Sequence, residues 1–246
     1  MAQATPTAQT APTVVLVHGS FTDAGSWAGV VKALQAAGVT VQAPANPLRS
    51  LSGDAAYLAS VANQIPGPVL LVGHSYGGAV ISAAAPQAQN VVGLVYVAAF
   101  IPEEGESIQG LAEHATDSLL GPALRPAQFP VGEGEEPGVE FYVDPAQFHK
   151  IFAADLPEEG AAVLAASQRP AGAVSFGEPI GPVGWKTLPS WAAISPNDLV
   201  IGPAGERLMA ERSGAEIVEI DGSHLFMISQ SQAVADLILR AVAAVS

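Results

Sequence analysis

Apolar residues in this chain gather in short unbroken runs, separated by stretches in which they recur at helical spacing. Thr13–Val17 (TVVLV), Val39–Ala43, Val69–Val72, Val91–Ala99 (VVGLVYVAA) and Ser190–Ile194 (SWAAI) are such runs, and Glu216–Ile220 is a shorter one. Continuous β-branched runs of this length predict strands buried on both faces, as in a parallel sheet. After the first run, Trp27, Val30, Val31 and Leu34 recur at i, i+3, i+4 and i+7, with Gly38 where a C′ glycine belongs. Pro44 and Pro47 stop the second run. Ser52 is the expected N-cap of a helix burying Tyr57 or Leu58, Val61 and Ile65, ended by Pro66-Gly67-Pro68. An Ala/Val/Ile-rich helix follows the third run until about Pro86, and Glu206–Arg212 is another helix. The last helix has a possible capping box at Ser229–Gln232 and a stripe of Val234, Leu237, Ile238 and Val242. Strand and helix alternate, so crossovers should make the sheet mostly parallel, six-stranded, with helices on both faces.

That rhythm breaks at Phe100. From Ile101 to Gly184 no buried strand pattern is visible; there are glycine-rich acidic stretches (GEGEEPG, Gly132–Gly138) and short helical signals. Asp144-Pro145-Ala146-Gln147 has the cap, N1 proline and N3 glutamine of a helix start leading into Phe148, Ile151 and Phe152. Asp155 and Glu158 repeat the capping-box spacing before an alanine-rich helix toward Ser167. An insertion between strands of a parallel sheet emerges at its carboxyl edge, where ligands bind. Residues 101–184 are therefore expected to form a helical cap on a core of 13–100 and 185–246, after a flexible leader, 1–12.

Composition narrows the class of partner. The 246 residues carry a net charge of −14, with nine Lys and Arg, which argues against nucleic acid or an anionic membrane. No apolar run is long enough for a membrane span, and the leader has neither the basic nor the apolar region of a signal peptide, so a cytoplasmic location is expected. With no cysteine, disulfides, thiolate metal sites and cysteine nucleophiles are excluded. No H-E-x-x-H or G-x-G-x-x-G pattern suggests a metal or a dinucleotide, and no cofactor is expected.

The chemistry centres on Gly73-His74-Ser75-Tyr76-Gly77, a G-x-S-x-G turn between the third strand and its helix. Such a turn raises the serine hydroxyl clear of the sheet, and the glycines admit a backbone approach that β-carbons would block. Ser75 is the candidate nucleophile. Asp198 (in Pro196-Asn197-Asp198) and His224 (in Asp221-Gly222-Ser223-His224) follow the fifth and sixth strands, so all three open at one edge of a parallel sheet. In that order His224 is the candidate base and Asp198 its orienting acid, with Glu103, Glu104 and, more remotely, Glu178 as rival acids. The backbone N–H groups of Ser20 and Tyr76 are the candidate oxyanion hole. His18 and His74 are expected to orient or support, and His114 and His149 to be solvated. Substrate-contact candidates are Phe21, Phe141, Tyr142, Phe148, Phe152 and Leu225. Phe129 is a further cap aromatic, although any one cap aromatic more readily serves to hold the cap together.

With these residues in place, the chain from Thr13 onward resembles an α/β-hydrolase, in particular the small capped branch of plant methylesterases, hydroxynitrile lyases and bacterial carboxylesterases. VVLVHGSF, VLLVGHSYGGAV, SPNDLVIGP and EIVEIDGSHLFMISQSQAVADLI carry the likeness. The resemblance implies a serine hydrolase acting on carboxylic esters through an acyl-enzyme; the apolar cap and acidic surface suit a small neutral ester, and the sequence leaves open whether the protein is a monomer or a homodimer. The branch's lyases carry threonine at the position of Gly19 and lysine at that of Leu225, so esterase chemistry is favoured over lyase chemistry. A binding protein with vestigial turnover is the reading from another class. One departure is Ile201-Gly202-Pro203, where the family has Ile-Pro directly.

Overall fold

The structure, a computed structural model, describes residues 11–246. The expected leader thus lies mostly outside the described residues. The described residues form nine strands: β1 (Thr13–Val17), β2 (Val41–Gln42), β3 (Val69–Ser75), β4 (Val91–Ala99), β5 (Leu124–Phe129), β6 (Gly138–Val143), β7 (Ala171–Gly172), β8 (Ser190–Ile194) and β9 (Glu216–Glu219). The main sheet has the order β2-β1-β3-β4-β8-β9, and every neighbouring pair is parallel. The unbroken apolar runs become its central strands: β3 is buried along its whole length and β4 is nearly so. The second run shrinks to a two-residue pairing at the sheet's edge, where only one neighbour offers hydrogen bonds.

Helices α1 (Ala28–Ala36), α2 (Leu51–Asn63) and α3 (Tyr76–Ala84) follow the first three strands. After β4 come α4 (Ile108–Glu113), α5 (Leu120–Ala123), α6 (Pro145–Phe152), α7 (Glu158–Ser167) and α8 (Ala173–Gly177). The chain closes with α9 (Pro203–Arg212), α10 (Phe226–Ser229) and α11 (Ser231–Ala244). α1 packs with α11 and α2 with α3, so the two pairs sandwich the sheet. Gly38, at φ +79, ends α1 in the left-handed conformation expected of a C′ glycine. Helix α2 is capped two residues earlier than predicted: Ser50 Oγ accepts from Gly53 N–H, while Ser52 N–H bonds Glu178. Of Tyr57 and Leu58, Leu58 is the buried one and Tyr57 is exposed.

The segment between β4 and β8 contains helices, as expected, and also a three-stranded antiparallel sheet, β5-β6-β7, that the apolar pattern did not reveal. β5 contains a proline and is half exposed, so neither a continuous run nor a clean alternation marks it. The GEGEEPG stretch joins β5 to β6. Asp144 caps α6 as predicted, its Oδ1 accepting from Ala146 N–H with Pro145 at N1. The two other expected capping boxes do not form. Pro157, without a side-chain cap, precedes α7, and Gln230 precedes α11. Asp155 and Ser229 bond each other instead.

What aligns the strand ends is backbone contact without room for side chains. A β-carbon at Gly77 would sit 2.5 Å from Val17 O, and one at Gly73 would sit 2.5 Å from Gly77 O. We therefore expect Gly73→Ala and Gly77→Ala each to cost about 3 kcal/mol or more, because backbone cannot yield as a side chain can. Gly160→Ala, in α7 with nothing within 4 Å of the added carbon, should instead gain about 0.5–1 kcal/mol. Urea denaturation midpoints of the three variants check this ordering.

Candidate active site

Ser75 ends β3 and precedes α3 with φ 54 and ψ −124, a conformation that costs a non-glycine residue on the order of 1–3 kcal/mol. Its side chain does not cap α3, so the hydroxyl is left for other work. Tyr76 is the first residue of that helix, and its N–H is one of the donors a helix start leaves unbonded. Ser20, in the turn after β1, offers an N–H with no backbone acceptor among the described residues. The next residue, Phe21, is left-handed at φ 63 and bonds Arg169 O, which fixes the turn to the inserted segment.

Ser20, Ser75 and Tyr76 line one cavity of about 570 Å³. Phe21, Phe141 and Phe152 line it too; Tyr142, Phe148 and Leu225 do not. Tyr142 follows Phe141 along a strand, so it points to the opposite face, where its hydroxyl donates to Glu140. Phe148 is fully buried and stacks on Phe152 from behind, ring centroids 5.0 Å apart. Leu225 is also fully buried, its N–H bonded to Phe152 O. Phe129 lies under the Arg49 guanidinium. Phe100 and Phe176 line the cavity and were not singled out from the sequence. Phe176 stacks with Phe21 from a five-residue helix, too short to show a period. Among the described lining residues the one charged side chain is Glu113.

His224 Nδ1–H donates to Asp198 Oδ2 at 2.6 Å, and both residues are fully buried. The other ring nitrogen, Nε2, is buried with no hydrogen-bond partner. His224 is tied to the elbow through His74, whose Nε2 bonds His224 O at 3.1 Å. Asp198 Oδ1 accepts from Val200 N–H (2.6 Å) and Ile201 N–H (3.0 Å). Gly202, between Ile201 and Pro203, takes φ +88 just before α9, a conformation that favours glycine. Burial pushes the Asp198 carboxyl up, but the neighbouring His224 ring, the Glu206 side chain and the Val200 N–H outweigh it and hold it well below the usual carboxylate range. The rival acids lie elsewhere: Glu103 and Glu104 pair with Lys186, and Glu178 accepts from Ser52.

Two supporting residues were read otherwise in the sequence. Asp155 bonds Ser223 Oγ and Ser229 Oγ, on either side of His224, and so fastens the histidine turn to the inserted segment. Glu206, read as an ordinary helix residue, is 1% exposed and accepts from Ser195 N–H at 3.0 Å. Asp198, Glu206 and His224 bring one ligating atom each within 4.8 Å of one another, a spacing that suits a cation. Asp198 and His224 Nδ1 are engaged in the bonds just described, while Glu206 Oε1 and His224 Nε2 have no hydrogen-bond partner.

The sequence model of the alpha/beta hydrolase family matches residues 14–237. Over 114 residues the chain is 35% identical to a carbendazim hydrolyzing esterase of Nocardioides sp. (strain SG-4G), covering 41% of this chain and 47% of that one. The match thus spans about half the length of that relative. Polyneuridine aldehyde esterase superposes with a TM-score of 0.79 at 20% identity, covering 94% of this chain and 99% of its own. A pyrethroid hydrolase from Sphingobium faniae JZ-2 gives 0.75 at 23% identity, covering 96% and 98%. A methylesterase from Arabidopsis gives 0.75 at 19% identity, covering 94% and 99%. These structural likenesses establish a shared fold.

The other buried histidines carry a pH dependence. His18 Nε2 accepts from Asn46 N–H (2.9 Å), so its proton is on Nδ1, which donates to Gly19 O. Burial, above all, lowers its pKa from 6.5 to about 4, and burial lowers that of His74 as well. On acidification the unfolded chain takes up the His18 proton first. Stability from this residue is therefore complete above pH 6.5 and is lost as pH falls toward about 4, by on the order of 3 kcal/mol. The stability advantage of wild type over His18→Gln should shrink accordingly between pH 7 and pH 4.5 in urea denaturation.

Proposed function

This chain belongs to the alpha/beta hydrolase family, and from that membership and the geometry of its site we propose that it is a serine carboxylesterase acting on small, neutral, largely apolar esters. One observation carries the reading: Ser75, raised on a strained turn, faces an apolar cavity on the same sheet edge as a buried His224–Asp198 pair bonded at 2.6 Å.

Ser75 Oγ attacks the ester carbonyl while His224 Nε2 takes its proton. Asp198 holds Nδ1–H, which leaves Nε2 as the basic nitrogen, and it stabilises the imidazolium that forms. The N–H groups of Ser20 and Tyr76 receive the carbonyl oxygen as it becomes negative, a contribution worth ~10²–10³ in turnover for each donor. His224 returns the proton to the departing alcohol, which leaves an acyl group on Ser75. Water, deprotonated by His224, attacks that acyl group. The acid is released, and the proton goes back to Ser75 Oγ. The inserted segment acts as a cap, supplying Phe141, Phe152 and Phe176 to the cavity wall. With Glu113 as the one charged lining residue, the cavity favours neutral substrates over anionic ones.

The named esterase and hydrolase activities of the similar proteins support this chemistry. The lyase alternative is weakened at Gly19: a β-carbon there would lie 2.6 Å from Ser75 Cβ, so threonine does not fit without displacing the nucleophile. At the position of the lyase lysine stands Leu225, buried and away from the cavity.

Hydrolysis of p-nitrophenyl esters of increasing acyl length tests the proposal. Ser75→Ala and His224→Ala should each lower kcat/KM by about 10⁴-fold or more, and Asp198→Asn by about 10⁴-fold. A hemisuccinate ester should be turned over about tenfold or more worse than a neutral ester of equal length. Folded protein that neither turns over any ester nor reacts with a fluorophosphonate at Ser75 would favour the binding-protein reading.

A further inference from the structure

Glu206 lies in the first turn of α9 with its carboxyl buried beside the acid loop. Its Oε2 accepts from Ser195 N–H at 3.0 Å, and its Oε1 is buried with no donor to face. A carboxylate oxygen of Asp198 lies within 4.8 Å of the Glu206 carboxyl, and Asp198 is itself an acceptor that already takes three bonds, from His224, Val200 and Ile201. Two facing acceptors make a hydrogen bond only if a proton lies between them. Two buried carboxylates at this range also cannot both ionise at ordinary cost.

Resting on the esterase reading above, we propose that Glu206 is a positioning residue: its carboxyl remains protonated and donates to Asp198, so that the acid facing His224 carries one negative charge and is anchored on both sides. The role follows from the direction of that bond. A donor to Asp198 lowers its affinity for a second proton, so Asp198 stays ionised when His224 becomes imidazolium and does not draw off the proton that the leaving alcohol needs. Burial, and then the Asp198 charge, push the Glu206 carboxyl well above the ordinary range, in keeping with this assignment. The titratable groups facing it are Asp198 from the acid loop and His224 from the turn after β9. The charged side chains of α9 point elsewhere: Arg207 bonds Glu219 and Arg212 bonds Glu106.

Glu206→Gln replaces one neutral donor–acceptor with another, and Glu206→Ala removes it. We expect Glu206→Gln to keep kcat/KM within about threefold and to leave the acidic limb of its pH profile in place, while Glu206→Ala loses about tenfold or more. The sign of the stability effect is independent of catalysis. Above about pH 4.5 the unfolded chain releases the Glu206 proton and the folded chain keeps it. Wild type should therefore lose Tm relative to Glu206→Gln as pH rises from 5 to 8.

An acidic limb that moves down by a pH unit or more in Glu206→Gln, with a Tm gap that does not grow with pH, would mean that Glu206 is ionised and would overturn the proposal. If either variant fails to fold, infrared spectroscopy of wild type at pH 7 decides. A protonated-carboxyl stretch that survives Asp54→Asn, the other carboxyl raised by burial, supports the proposal, and its absence overturns it. Activity that survives Ser75→Ala would defeat the esterase mechanism and leave the infrared and Tm results to judge the carboxyl pair alone.

Discussion

Three strand ends meet at Ser75 with less space between their backbones than a single β-carbon occupies. The β-carbon positions of Gly77, Gly73 and Gly78 fall 2.5 Å from Val17 O, Gly77 O and Phe100 O, and that of Gly19 falls 2.6 Å from Ser75 Cβ. This absence of side chains lets the turn after β1, the β3–α3 elbow and the end of β4 close on one point. The unfavourable φ of Ser75 persists because the surrounding backbone leaves it no alternative. The same closeness brings Ser20 and Tyr76 to the wall of one cavity with Ser75, although nearly sixty residues separate them in sequence. A cluster of glycines, rather than any attractive contact, is thus the condition on which the site depends.

The parallel sheet was legible because strands buried on both faces leave a mark that needs no knowledge of their partners. The inserted segment was not, for the converse reason. β5 and β6 are half exposed, β7 has two residues, and Pro126 sits inside β5, so each depends on its neighbours more than on its own pattern. Capping was legible where the local signal met no competition, as at Asp144. It failed where a remote partner intervened: Asp155 and Ser229 have the right spacing for caps, yet their side chains bond across the chain to hold the histidine turn.

The same division runs through the site. Ser75, Asp198 and His224 each occupy the turn after a strand that can be read in the sequence, and the topology of a parallel sheet carries those turns to one edge. The cavity wall depends on which way side chains of the inserted segment point. Phe141 and Tyr142 are adjacent in sequence and fall on opposite faces, and Phe176 comes from a helix too short to display periodicity. Glu206 was invisible for a different reason. A glutamate among the polar residues of a helix looks solvated, and nothing in the local sequence tells that α9 turns this one toward Asp198.

Burial at the carboxyl edge also governs its charge. His18, His74, Asp198, Glu206 and His224 are all 0–1% exposed. Burial lowers the pKa values of His18 and His74, so both are neutral near pH 7. Asp198 remains ionised because the N–H donors of its loop and His224 replace the water it has lost. Where an ion is this deeply buried, each further charge costs more than the last, so neutral neighbours are the cheaper arrangement. With Glu206 protonated as proposed, the site holds one fixed negative charge next to the ring on which catalysis would place a positive one. On the proposed esterase reading, attack by Ser75 would create an ion pair from a charge already anchored, with little reorganisation around it, which is the electrostatic preorganisation that acyl transfer requires.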